Sequence, residues 1–323
     1  MAFLAKLSRA YTARSKLRQR GVLGMNKRNV DFIARYNPRH LFPLVDDKLQ
    51  TKTLAENAGV AVPKLIGVVR EQHDVRNLVK LLPELGGFCI KPAKGSGGKG
   101  ILVIVRADID GFYKSCGSVI SLNDIERHVS NILAGLFSLG GSNDVAVIEA
   151  LIQFDPCFNG YSYEGVPDIR VILFQGYPVM AMIRLSTHVS QGKANLHQGA
   201  VGVGLDLATG HAVQAVQFDQ PIALHPDTGK DLLSIKVPQW SRLLELASSC
   251  YDMCGLGYLG ADLVLDSDHG PLLLELNARP GLTIQVANNR GLLPRLKAVS
   301  EQSSKASSLL ERVAYARSTL ARL

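Results

Sequence analysis

No uninterrupted apolar run in this 323-residue chain approaches the ~20 residues that span a bilayer, so no membrane-crossing helix is expected. The amino terminus lacks a long apolar core followed by small residues, so no secretory signal is expected either. Cysteine is sparse. Cys89, Cys116, Cys157, Cys250 and Cys254 are odd in number and scattered, with no CxxC pair, which fits thiols kept reduced in a cytoplasm. Internal repeats and low-complexity stretches are also missing. With 46% hydrophobic and 20% charged residues, the composition is that of a globular protein of two domains or one multi-lobed unit.

Acidic residues are absent before Asp31, and this explains the net charge of +8. Residues 1–28 carry Lys6, Arg9, Arg14, Lys16, Arg18, Arg20, Lys27 and Arg28; without those eight, 28 basic residues face 28 acidic ones. The excess is local, and no nucleic-acid signature accompanies it. Phe3, Leu4, Leu7 and Tyr11 can share one face of a short helix. Two readings stay open: docking to anionic lipid or an acidic partner, or a solvated basic tail.

Periodicity divides the remainder into mixed elements. A helix capped by Asp46 or Asp47 should end at Gly59, and further helices are expected over 75–82, 121–138, 239–254 and from 290 onward. Residues 88–91, 101–105, 145–152, 169–174, 179–185, 258–265 and 272–276 read as strands. Residues 29–47, punctuated by Pro38 and Pro43, read as ordered but irregular. Strands and helices without regular βαβ alternation give an α+β fold class.

Two stretches carry chemistry. In the first, Gly95, Gly97, Gly98 and Gly100 fall within six positions between two strands, with Lys91, Lys94 and Lys99 alongside. Such a backbone can approach phosphate oxygens closely and aim N–H groups at them. It is not a P-loop, because Lys99 is followed by Gly100 and then by a strand. The second stretch pairs Asp262 with the run Leu274-Glu275-Leu276-Asn277-Ala278-Arg279-Pro280-Gly281. Strand alternation puts Glu275 and Asn277 on one face, and a hairpin brings Asp262 beside them. Three oxygen donors on a rigid sheet suit Mg²⁺ carrying nucleotide phosphates.

These elements, in this order, resemble the ATP-grasp superfamily. Asp47-Lys48 with Thr51, Leu54, Gly59 and Pro63 is similar to the opening of the nucleotide domain in ribosomal-protein glutamate ligases. Residues 88–101 resemble their lysine strand and flexible loop, and 147–152 their adenine-hinge strand. Asp168-Ile169-Arg170, Arg184 and Asn195-Leu196-His197-Gln198-Gly199 follow in the same order. The series, from about 46 to about 297, most resembles bacterial alpha-L-glutamate ligase-like proteins, with sugar-transfer-associated ATP-grasp proteins as related forms. Only 47 residues precede Lys48, fewer than in the glutamate ligases, and Ile148 stands where glutamine is usual.

The resemblance implies two α+β lobes clasping a nucleotide, over 48–145 and 146–297. A basic segment (1–28) and a reduced region (29–47) would precede them, and a C-terminal helix (298–323) would follow. By the same resemblance Lys48 and Lys91 hold the α- and β-phosphates of ATP. The loop of Gly95, Ser96, Gly97, Gly98, Lys99 and Gly100 closes over the γ-phosphate. Glu149, Ala150, Leu151 and Ile152 meet the adenine edge, with Asp168 in a ribose or supporting role. Asp262, Glu275 and Asn277 bind Mg²⁺, and Arg170, Arg184 and Arg279 face the phosphoryl acceptor, with Asn195 and His197 nearby.

The implied activity is an ADP-forming carboxylate–amine ligase that makes an amide through an acyl-phosphate. Phosphoryl transfer asks for alignment and charge neutralisation, and guanidinium groups suit both carboxylate and oxyanion. The readings that stay open for the acceptor are an amino acid, a peptide or an amino-sugar conjugate. A kinase-like enzyme that stops at phosphorylation, and an ATP-binding adaptor recruited through residues 1–28, are the alternatives. The expected setting is the cytoplasm, with peripheral membrane contact as one reading of the basic segment.

Overall fold

The computed structural model describes residues 15–83, 86–95, 97–302 and 307–323. Two antiparallel sheets organise the chain. The first has six strands in the order β1-β6-β2-β3-β4-β5: β1 (Leu65–Val69), β6 (Ala146–Ala150), β2 (Gly86–Pro92), β3 (Leu102–Asp108), β4 (Gly111–Tyr113) and β5 (Val119–Ile120). The second has seven in the order β11-β10-β9-β8-β7-β12-β13: β11 (Gln220–Ile222), β10 (Ala212–Gln217), β9 (Val201–Leu205), β8 (Tyr177–Leu185), β7 (Asp168–Phe174), β12 (Tyr258–Asp266) and β13 (Gly270–Asn277). Mixed helices and antiparallel sheets make the fold α+β.

Each sheet has its own core. In the first, Phe88, Ile90, Ile104 and Ile148 pack against Ile125, Val129 and Ile132 of the helix Leu122–Leu133. In the second, one face of the sheet is covered by the helices Trp240–Cys254 and Leu309–Ser318. Strand alternation sends Ile169, Val171 and Leu173 to an apolar face, which leaves Asp168 and Arg170 together on the other. The helix Lys48–Asn57 starts at Asp47, whose carboxylate accepts from the Leu49 and Gln50 N–H groups, the capping expected from sequence.

Several expectations need correction. The expected helix over 121–138 stops at Leu133, and the chain turns at Gly135 with φ of +79°. The helix expected over 75–82 is a 3-10 segment, Gln72–Lys80. The irregular stretch 29–47 is a series of short helical turns, including a π-helical segment Arg28–Ile33. Its Phe32 and Tyr36 pack edge-on against Phe174, with ring centroids 5.4 and 4.9 Å apart. Asn37 ties it to β12, donating to the Tyr258 carbonyl at 2.6 Å and accepting from the Tyr258 N–H at 2.8 Å.

Nor is the basic segment a solvated tail throughout. Leu23 is buried, and Gln285 bonds both its N–H and its carbonyl. Arg28, counted with that segment, is buried and donates to the Pro280 carbonyl at 2.7 Å. The amphipathic face drawn from Phe3, Leu4, Leu7 and Tyr11 lies outside the described residues. Among the described residues, no helix is long and apolar enough to cross a membrane.

Candidate active site

The register of the second sheet assembles a charged array. Arg170 on β7 is opposite Asp262 on β12, and Asp262 is opposite Glu275 on β13. One row along, Asp168 on β7 is opposite Arg184 on β8. Arg170 grips Asp262 with two parallel bonds, Nε to Oδ1 at 2.7 Å and a terminal nitrogen to Oδ2 at 2.5 Å. Arg184 grips Asp168 in the same two-pronged way and also donates to Asp262 Oδ2 at 2.9 Å. All four side chains are almost wholly removed from solvent.

Both carboxyls are buried, and the guanidinium groups around them set their protonation apart. For Asp262 burial alone would favour the neutral acid, but Arg170 and Arg184 outweigh it and hold the carboxyl well below the usual range. Asp168 is pushed up to about 6 by burial, with the Asp262 charge adding to it and Arg184 opposing. Arg184 stays charged, because Asp168 and Asp262 outweigh its burial.

Among the described residues no group of three His, Cys, Asp or Glu side chains is gathered. The donor set proposed for a metal needs only two carboxylates, with Asn277 as the third oxygen. Asp262 and Glu275 face each other directly across the hairpin, with Arg170 and Arg184 offsetting the charge of the first and Lys48 lying beside the second. Hard oxygen donors on two adjacent strands fit Mg²⁺. Asn277 Oδ1 accepts from the Arg279 N–H at 2.8 Å, which fixes its orientation.

Lys91 comes from β2 of the first sheet, and Lys48 and Lys52 from the helix Lys48–Asn57, which packs against β13. Lys48 Nζ donates to the Gly95 carbonyl at 2.6 Å and lies 3.4 Å from Glu275. Lys91 on β2 lies 2.6 Å from Glu149 on β6, and Lys52 lies 2.8 Å from the other Glu149 oxygen. Burial draws Lys52 below the usual lysine range, with Glu149 opposing. Glu149 was expected at an adenine or ribose position; its carboxylate instead bridges two ammonium groups. Both Glu149 oxygens thus have an ammonium at ion-pair distance, and the pair with Lys52 borders a small void shared with Lys48, Thr51, Val62 and Leu274.

The glycine loop is pinned at both ends. The buried Asp144 carboxylate accepts from the Lys94 N–H at 3.0 Å and from Ser138 at 2.7 Å. His128 Nε2 lies 2.9 Å from the Gly100 carbonyl. Gly100 has φ of +74°, and a Cβ there would come within 2.5 Å of the Phe137 ring, so only glycine fits. Gly97 faces Asn195, whose Nδ2 would lie 3.9 Å from an added Cβ, which puts the loop over residues 195–199. Ser96 lies outside the described residues.

Of the expected site residues, Arg170, Arg184, Asp168, Asp262 and Glu275 converge on one sheet face, and Lys48 reaches it from the start of the helix Lys48–Asn57. Arg170 and Arg184, expected to face the acceptor, spend their bonds on Asp262 and Asp168. Arg279 is exposed, with its guanidinium 5.0 Å from the Phe42 ring. Ala150 ends β6, and Leu151 and Ile152 continue from it toward the second sheet, where the Gln153 N–H bonds Asp266 at 2.9 Å. Lys52, His128 and Asp144 were missed from sequence, since none lies in a recognisable motif.

Comparison with known proteins places this geometry. The profile of the sugar-transfer associated ATP-grasp family matches residues 27–301. No curated protein sequence matches significantly. Similar solved structures include the D-cycloserine synthetase DcsG, 17% identical with a TM-score of 0.48 over 83% of this chain and 73% of that one. The ATP-grasp ligase PsnB, solved with a minimal precursor, is 16% identical with a TM-score of 0.46 over 84% of this chain. This chain spans 63% of the length of PsnB. D-alanine–D-alanine ligase from Bacillus anthracis, solved with ATP, is 15% identical with a TM-score of 0.40 over 86% of this chain and 68% of that one. The family profile covers most of the sequence, and the chain belongs to the sugar-transfer associated ATP-grasp family.

Proposed function

We propose that the protein is an ATP- and Mg²⁺-dependent ligase that joins a carboxylate to an amine and releases ADP and phosphate. The observation that carries the reading is the ion-paired row Arg184, Asp168, Arg170, Asp262 and Glu275 on one sheet face, met by Lys48 from beneath the glycine loop.

A carboxylate is a poor electrophile, and attack of its oxygen on the γ-phosphorus of ATP gives an acyl-phosphate with ADP leaving. The amine nitrogen then attacks the acyl carbon, and phosphate leaves. Most of what the protein supplies to the first step is alignment and charge. Lys48 and Lys91 would meet the phosphate oxygens, with N–H groups of the loop from Gly97 to Gly100 above them. Asp262, Glu275 and Asn277 would hold Mg²⁺, which neutralises phosphate charge when bound. Arg170 and Arg184 lock the Asp262 carboxylate in place, and Asp168 orients Arg184. No protein nucleophile is needed; the Cys157 side chain is exposed, and partial burial together with the neighbouring Asp155 carboxylate pushes its thiol up, which leaves it unsuited to that role.

The family's association with sugar transfer supports an amino-sugar conjugate as one acceptor class beside amino acids and peptides. The experiment is turnover of Mg·ATP against carboxylate and amine panels, reading ADP release and product mass together, with hydroxylamine added to trap acyl-phosphate as hydroxamate. Hydroxamate formation supports the ligase; a stable phosphoester as the sole product overturns it in favour of a kinase.

A further inference from the structure

A cavity of about 250 Å³ opens beside the glycine loop, lined by Leu196, His197, Val216, Phe218, Asp219 and Thr283. Two of its walls come from segments that already carry the site: residues 195–199, and the stretch that follows β13. The third is the tip of the β10–β11 hairpin, which no motif marks. Gln217 and Gln220 pair there, so Phe218 and Asp219 are the two turn residues, with φ of +49° and +60°. Glycine or asparagine takes this left-handed turn readily, and an aromatic residue does so only at a cost in strain.

The strained position puts the Phe218 ring over residue 199. A Cβ added at Gly199 would lie 2.9 Å from the ring, and Gln217 donates to the Gly199 carbonyl at 2.8 Å. Phe218 is nevertheless 59% exposed, so its ring is held at the cavity mouth and not in a core. Asp219 beside it makes no ion pair or side-chain hydrogen bond among the described residues. The lining therefore offers three apolar walls, one free carboxylate and one imidazole, and no arginine or lysine.

We infer that this cavity is the subsite of the amine substrate, and that it takes a small ammonium compound with a compact apolar body and no carboxylate of its own. The inference rests on the ligase reading and narrows it. Asp219 attracts the ammonium while Leu196, Val216 and Phe218 take the body. A free α-amino acid brings a second charge that Asp219 repels and no lining cation receives. The volume lies just below the usual range of ligand pockets, which limits the body to roughly the size of one amino-acid residue.

The test uses three probes of one shape: isopentylamine, isopentanol and L-leucine, each titrated against the full chain by ligand-observed NMR. Isopentylamine should bind about fivefold more tightly than the other two, a modest factor because Asp219 is exposed to screening solvent. Asp219→Asn, which suits the turn better than aspartate, should erase that preference and leave isopentanol unchanged. Phe218→Gly relieves the backbone strain and should weaken all three probes. L-Leucine binding as tightly as isopentylamine, an unchanged preference in Asp219→Asn, or no binding of any probe overturns the subsite. The ligase reading fails separately: selective amine binding without any hydroxamate or ADP release would sink the chemistry and leave the subsite standing.

Discussion

Glu149 carries the most demanding electrostatic duty in the first sheet, and replacing it gives a sharp prediction. Its carboxylate is 4% exposed and faces two ammonium groups, Lys52 at 2.8 Å and Lys91 at 2.6 Å, themselves 4% and 10% exposed. Glu149→Gln keeps the shape and removes the only negative charge the two lysines share at ion-pair distance. Breaking a buried pair from one side costs about 3–5 kcal/mol, because the partner is left charged and desolvated. Here two partners are left, so the upper part of that range is expected, a large share of the roughly 5–15 kcal/mol that holds a domain folded.

Denaturant unfolding, followed by a probe in the first sheet, measures the loss. Lys52→Met supplies the control, since it leaves Glu149 paired with Lys91 and keeps the aliphatic stem; a cost of about 1–2 kcal/mol is expected. Replacing all three with Met, Met and Leu removes every charge and should recover most of the stability lost in Glu149→Gln. A Glu149→Gln cost within about 1 kcal/mol of zero, or a larger cost for Lys52→Met, would refute the assignment of Glu149 as the shared counter-charge.

Three further outcomes follow from the site. Asp168 has its folded-state pKa raised to about 6, so its contribution to stability is fully present below the unfolded value near 4 and is lost as pH rises through about 6. Asp168→Asn mimics the protonated form and should flatten that part of a pH series of urea midpoints; an unchanged slope between pH 4 and 7 would contradict it. Gly100→Ala forces a Cβ into the Phe137 ring at a left-handed backbone position, whereas Gly97→Ala meets only the backbone penalty. Equilibrium ATP binding should therefore weaken about tenfold or more for Gly100→Ala and several-fold less for Gly97→Ala, and equal effects would speak against the pinned loop. Glu275→Gln removes one of two facing carboxylates without breaking a buried ion pair. It should leave the unfolding midpoint nearly unchanged while Mg²⁺-dependent ADP release falls by about a hundredfold or more, and retained turnover would remove Glu275 from the metal set.

Much of the charged face was legible because alternation fixes facing pairs within a hairpin. Glu275 and Asn277 share a face by period, and a short turn brings Asp262 opposite Glu275. The partners of the arginines were not legible. Arg170 meets Asp262 because β7 lies beside β12 in the sheet, and the two residues are 92 positions apart, a lateral order no local pattern encodes. Lys52 was hidden for a related reason. On its own helix it reads as one more solvated lysine, and only the approach of Glu149 from β6 makes its burial tolerable. Arg28 was misread in the same way, since its buried acceptor is the carbonyl of Pro280. The Phe218–Asp219 turn gave little signal, because Asp219 is a common turn residue but Phe218 stands where glycine or asparagine is usual.

The ion pairs of the site differ in strength in a way that bears on how it would work. Lys91 belongs to β2 of the first sheet, Lys48 and Lys52 to the helix Lys48–Asn57, which packs against β13, and the buried arginines and the candidate metal ligands to the second sheet. The arginine–aspartate pairs are buried and two-pronged, and so are rigid. The contact of Lys48 with Glu275 is different: 3.4 Å long, with the carboxylate 37% exposed and the ammonium also held by the Gly95 carbonyl. A bond of that kind contributes little stability and is exchanged at little cost. Under the proposed reaction, Lys48 can leave Glu275 for a phosphate oxygen as a cation takes its place on the carboxylate, while the Arg170–Asp262–Arg184–Asp168 array keeps its geometry. Nucleotide and metal would thus enter at this weak contact, and the rigid part of the site would not have to move.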